Sequence, residues 1–208
     1  MKSLFIILII FFFSFTACKK NSSGDTQPQP TRYYQMSQEF LDYAELPVGA
    51  YYIYRDSATN TLDSVIVTTS SLNKLLYDPG PCTYPPCFGS KYYYDQLNLI
   101  LQKTDNTGNQ ENWLTATGTA YRETSLLTGD HGETLLALPY VSDDILTIYT
   151  LSSLTLEGKV YKDVLVNISA DDFSSLFSTT YWKKGIGILK RSYTINGVET
   201  TWTLVRNG

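Results

Sequence analysis

Three cysteines and a single histidine are the side chains here best suited to covalent or acid–base chemistry, and the neighbours of each narrow what it can do. Cys18 follows Phe15-Thr16-Ala17, behind Lys2 and an unbroken apolar run from Leu4 to Phe13. A short basic start, a brief apolar stretch and small residues before a cysteine describe a bacterial lipoprotein signal, with the Cys18 thiol as the acceptor of diacylglycerol. From Leu4 to Phe15 the run is about 18 Å long as a helix, too short for a hydrocarbon core of roughly 30 Å. Cleavage before Cys18 is expected, leaving a chain whose acyl groups hold it to a membrane at about 0.8 kcal/mol per buried methylene.

Cys82 and Cys87 lie in the proline-rich segment Pro79-Gly80-Pro81-Cys82-Thr83-Tyr84-Pro85-Pro86-Cys87-Phe88-Gly89. In an exported chain that context predicts a local disulfide. A zinc site would need further sulfur or imidazole ligands, and the sequence offers only His131. No metal and no other cofactor is expected.

His131 sits in Gly129-Asp130-His131-Gly132-Glu133, a turn-like segment, and no Gly-x-Ser-x-Gly elbow presents a serine to it. The acid pairs Asp143-Asp144 and Asp171-Asp172 are adjacent in sequence, and neighbours in a strand point to opposite faces, so turn or cap roles suit them better than paired acid–base work. Asp105 to Glu111 lacks the alternating acid spacing of a calcium loop. Gly185-Ile186-Gly187 lacks the third glycine of a nucleotide site and reads as a bulge or bend. No catalytic residue emerges, and an enzyme is not expected. The abundant binding chemistry is aromatic. Trp113, Trp182 and Trp202, with the runs Tyr33-Tyr34, Tyr51-Tyr52 and Tyr92-Tyr93-Tyr94, could form a platform that stacks on sugar rings; alternatively they pack a half-buried sheet.

The elements that must position these groups are strands. Apolar residues recur with period two nearly throughout, and the chain has seventeen tyrosines. Ile186 to Ile195 and Val198 to Val205 flank Asn196-Gly197, the pair preferred by two-residue hairpins. Tyr92 to Leu101 with Trp113 to Glu123, Ile145 to Leu156 with Val160 to Ser169, and Ala50 to Arg55 with Leu62 to Thr69 predict three more hairpins. Two short helices are expected, Ser37 to Leu46 with Ser37 as N-cap, and Ala170 to Phe177 behind Asp171 or Asp172. The predicted fold is mainly β: a curved antiparallel meander, closed as a half-barrel or stacked as a sandwich.

Residues 1–17 read as the signal peptide, 18–31 as a lipidated tether and 32–208 as one β-rich domain. Lys19 to Thr31 carries no large apolar residue and would reach roughly 45 Å fully extended. The formal charge of -4 falls to about -5 once Lys2 is lost, and no basic stripe invites nucleic acid.

Two stretches carry a resemblance. Pro47-Val48-Gly49-Ala50-Tyr51-Tyr52-Ile53-Tyr54 resembles the "VGNYWVY"-like opening of many small lipoproteins of the Bacteroidota phylum, and Tyr181-Trp182-Lys183-Lys184-Gly185-Ile186-Gly187-Ile188-Leu189-Lys190 is similar to the "YYAKGVGLVK"-like segment near their C-termini, with Lys183 at the alanine position. The Ala17-Cys18-Lys19-Lys20 junction is similar too. The resemblance implies an exported lipoprotein anchored to the outer membrane, with no catalytic residues to carry over. It also implies O-glycan attachment at Ser57 and Ser64, in Asp56-Ser57-Ala58 and Asp63-Ser64-Val65. The expected role is non-enzymatic binding or envelope structure, with two alternatives: a carrier of an apolar ligand or lipid in a half-barrel cavity, and a glycan-binding module using exposed aromatics.

Overall fold

The computed structural model describes residues 32–80, 90–104, 111–122, 124–139, 146–171, 176–195 and 197–208. They form β1 (Arg32–Tyr34), α1 (Gln38–Ala44), β2 (Tyr51–Asp56), β3 (Leu62–Tyr77), β4 (Tyr92–Lys103), β5 (Asn112–Tyr121), β6 (Thr124–Thr128), β7 (Thr134–Leu138), β8 (Leu146–Leu156), β9 (Lys159–Asp171), β10 (Leu176–Lys183), β11 (Gly187–Ile195) and β12 (Val198–Asn207). All twelve strands belong to one antiparallel sheet in the order β7-β6-β5-β4-β3-β2-β12-β11-β10-β9-β8, with β1 added parallel to β4. The sheet curls until it nearly closes as a barrel, so the apolar face is hidden by curvature within one sheet instead of by two stacked layers.

The four hairpins expected from the alternation are present, with the pairs Ile195↔Val198, Gln102↔Asn112, Leu156↔Lys159 and Arg55↔Leu62 nearest their turns. Leu97, Leu99 and Leu101 of β4 are fully buried. Each contributes roughly 1.5–3 kcal/mol by leaving water, which makes this face the inner one. Strands β1, β6, β7 and β10 were not separately legible in the alternation, being short or rich in small polar residues.

Of the two expected helices, α1 is present. Ser37 caps it, its hydroxyl accepting from the amide of Phe40 at 3.2 Å. Phe40, Tyr43 and Ala44 share the buried face, which packs against β7 at one end of the barrel. The second expectation, a helix over Ala170 to Phe177, is corrected: Ala170 and Asp171 close β9, Leu176 and Phe177 open β10, and the pairs Asp171↔Leu176 and Ala170↔Phe177 put them in a hairpin. Ladder pairing along β9 and β10 outweighs the local capping preference of the acids.

The bend read at Gly185-Ile186-Gly187 is there. Gly187 sits at φ +96, and a Cβ on it would lie 2.8 Å from Cδ2 of Leu46, so this turn accepts Leu46, two residues past α1, only because Gly187 has no side chain. The β10–β11 ladder carries a bulge just beyond it, between Tyr181 and Trp182.

Candidate functional site at the barrel mouth

Where β7 meets the far side of the curled sheet, side chains replace the missing ladder. The indole Nε1 of Trp182 donates to the carbonyl of Leu135 at 2.7 Å, Asn167 Nδ2 donates to the carbonyl of Thr134 at 2.6 Å, and the amide of Thr134 donates to Ser169 Oγ at 3.4 Å. Backbone groups of β7 that would otherwise be buried without partners are thus satisfied from β9 and β10. Trp182, expected as a possible ligand-binding aromatic, is fully buried and serves this seam.

Register aligns one inner row across five strands: Ile148, Asn167, Thr180, Arg191 and Trp202 are successive cross-strand partners. Residues directly opposite in an antiparallel ladder share a face, so the row lies on the inner wall. Arg191 is almost wholly buried, at 1% exposure. Its Nη2 donates to the buried carboxylate of Glu133 and, at 3.2 Å, to Asp130 at the more open edge. Both acids come from the 129–133 turn between β6 and β7, which folds in beneath β11. That turn is closed by Gly129 N donating to Glu133 O, and the amide of His131 donates to Glu133 Oε2.

Aromatic rings surround the ion pair. The guanidinium of Arg191 stands 5.0 Å from the Tyr193 ring and 5.8 Å from that of Trp113, within range of cation–π attraction. Trp113 stacks on Tyr54 at 4.5 Å and meets Trp202 edge-on at 5.7 Å; Trp202 leans on Tyr193 at 5.4 Å, and His131 on Tyr193 at 5.1 Å. Tyr54 is buried and donates to the carbonyl of Ile188 at 2.8 Å. Burial holds its phenol well above the ordinary tyrosine pKa, and burial also raises Tyr193, whose shift the neighbouring Arg191 charge partly offsets.

As members of an exposed platform, the three tryptophans are corrected. Trp113 is 5% exposed, Trp182 is buried at the seam, and Trp202 is half-buried, because their positions in β5, β10 and β12 face the inner wall. The structure does bring Trp113 and Trp202 together, around a charged residue that alternation alone left unremarked. A signal existed: Arg191 falls in phase with Tyr193 on a strand whose other phase is Lys190, Ser192 and Thr194, and a cation on an inner phase requires buried acids.

The band carries a further peculiarity. Seven buried side-chain polar atoms among the described residues lack a hydrogen-bond partner, and six belong here: Trp113 Nε1, Trp202 Nε1, Arg191 Nε, Asn167 Oδ1, Ser178 Oγ and Thr180 Oγ1. Three are N–H donors, one is an acceptor and two are hydroxyls able to do either. Below the band the inner face is filled by Leu97, Leu99, Leu101, Leu114, Trp182 and Ile188.

The remaining sites expected from sequence fall elsewhere. Ser57 is exposed in the β2–β3 turn, its amide donating to Thr201 O; Ser64 is half-buried within β3, its carbonyl accepting from Thr104. Cys18, Cys82, Cys87 and Asp143-Asp144 lie outside the described residues.

No family model matches this chain, and neither a curated protein nor a solved structure matches it.

Proposed function

We propose that this chain is a lipoprotein, held to the outer membrane by acylated Cys18, that binds a small neutral hydroxyl-rich molecule of the sugar class at the barrel mouth without transforming it. The observation that carries this reading is the band of six unpartnered polar atoms. Buried polar groups nearly always find partners, so a cluster of orphans in one place calls for partners from outside the chain, ordered water or the hydroxyls of a ligand that takes its place. Mixed donors, acceptors and hydroxyls suit a ligand that bears hydroxyls, and the rings of Trp113, Trp202 and Tyr193 suit its C–H faces. A neutral ligand fits best, because the Arg191 charge is already met by Glu133 and Asp130 and a second anion would repel them. An apolar carrier would need the space that leucines and Trp182 fill.

Titration calorimetry of the mature protein against a panel of mono- and disaccharides tests this. A sugar should bind, and Trp202→Phe, which keeps a ring but removes the N–H, should weaken it by on the order of tenfold. Binding unchanged in Trp202→Phe, or no binder across the panel, would reject the assignment.

A further inference from the structure

At the end of the barrel opposite the mouth, tyrosines gather from four elements. β1 lies beside the first residues of β4 with Tyr33↔Tyr93 and Tyr34↔Tyr94 in register, and Tyr77 of β3 is paired with Tyr92. On the outer face Tyr92 is the hub: its ring is 4.7 Å from Tyr77, 5.1 Å from Tyr34, 6.1 Å from Tyr94 and 6.3 Å from Tyr121. On the other face Lys74 stands over Tyr33 at 4.0 Å and Tyr93 at 4.7 Å, while Arg122 lies 5.2 Å from the Tyr121 ring. Tyr77 and Tyr121 remain 43% and 48% exposed, and Leu76 beside them 48%. Tyr34 packs against the core, whereas the exposed rings of Tyr77 and Tyr121 take no part in it.

We infer that this tyrosine corner seats in the headgroup layer of the anchoring membrane, beside the lipid at Cys18. The inference rests on the lipoprotein reading above, and the position of the chain's entry is what selects the occupant. The domain begins at Arg32, inside the cluster, and only residues 19–31 separate it from Cys18, a reach of at most about 45 Å. The corner is therefore the part of the domain joined to the anchor by the fewest residues. Tyrosine suits that depth, with an apolar ring for the acyl boundary and a hydroxyl for the headgroups, and Lys74 and Arg122 add attraction to anionic lipid. Seated this way, the protein presents its mouth on the far side, since β4 runs from Tyr92 at the corner to Lys103 at the mouth end, about 36 Å along the strand.

The test uses mature lipidated protein in vesicles of phosphatidylethanolamine and phosphatidylglycerol containing brominated phospholipid. In Tyr121→Trp, and independently in Tyr77→Trp, the added indole should be quenched severalfold more than the native Trp113, Trp182 and Trp202, and the parent should show little quenching. If the variants float with the vesicles yet their new indoles are no more quenched than the native ones, the docking is overturned and the anchor stands. If the parent protein fails to float, both fall.

Discussion

Glu133 and Arg191 stand 58 residues apart in sequence and meet in a nearly solvent-free ion pair, the acid from a tight turn and the base from the middle of β11. The contact fastens the 129–133 turn under the barrel wall, and the rings of Trp113 and Tyr193 close over the guanidinium. Stability and the shape of the mouth are thereby tied to one pair of charges.

Breaking that pair from one side strands a buried charge. Arg191→Met or Glu133→Gln should lower the unfolding free energy by about 3–5 kcal/mol, whereas Asp130→Asn, at the more exposed edge, should cost under about 1 kcal/mol. Urea titration of the three variants checks the order, and an Asp130→Asn loss as large as that of Glu133→Gln would contradict the assignment of the burden to Glu133.

The seam makes a separate prediction. Trp182→Phe keeps one aromatic ring but leaves the Leu135 carbonyl unpaired and a small cavity beside it, which together should cost at least about 1–3 kcal/mol. Amide exchange in β7 should accelerate more than exchange in β3 or β4. Uniform acceleration across the sheet would argue that β7 is not held by its side-chain partners.

Two glycines at positive φ separate backbone strain from steric conflict. Gly197→Ala meets open space at φ +78 and should cost about 1 kcal/mol. Gly187→Ala has comparable strain and also drives a methyl into Leu46, so its midpoint in thermal unfolding should drop further. A Leu46→Ala background should recover part of the difference, and a lack of recovery would remove the steric explanation.

Alkaline pH should unfold the protein through Tyr54. Its folded pKa is raised well above its unfolded value near 10, so the protonated phenol is favoured by folding. The stabilisation is complete below about pH 10 and is lost as pH climbs from there through the raised value, because the unfolded chain ionises first. Tyr54→Phe, which forfeits the bond to Ile188 O, should be less stable by about 1 kcal/mol at neutral pH, with the gap narrowing above about pH 10. A gap that stays constant across that range would show that Tyr54 is not the titrating group.

Much of the secondary structure follows from local chemistry. Period-two alternation in Tyr92 to Leu101, Asn-Gly after Ile195 and Ser37 ahead of an apolar face each act within a few residues, and the structure places strands, a hairpin and a capped helix there. The same local logic misassigns Ala170 to Phe177, where the β9 ladder prevails over capping acids.

What the sequence determined by itself was a mainly β chain, one capped helix and four hairpin pairings, because those depend on side-chain alternation and turn residues. Tertiary structure alone decided that Trp182 would close a seam, that Tyr33-Tyr34 would lie beside Tyr92-Tyr93-Tyr94, and that Arg191 would find Glu133. Those neighbours are set by how far a twelve-strand sheet curls and which edge it meets, and curvature of that kind is a sum over many small twists that no short stretch of residues encodes.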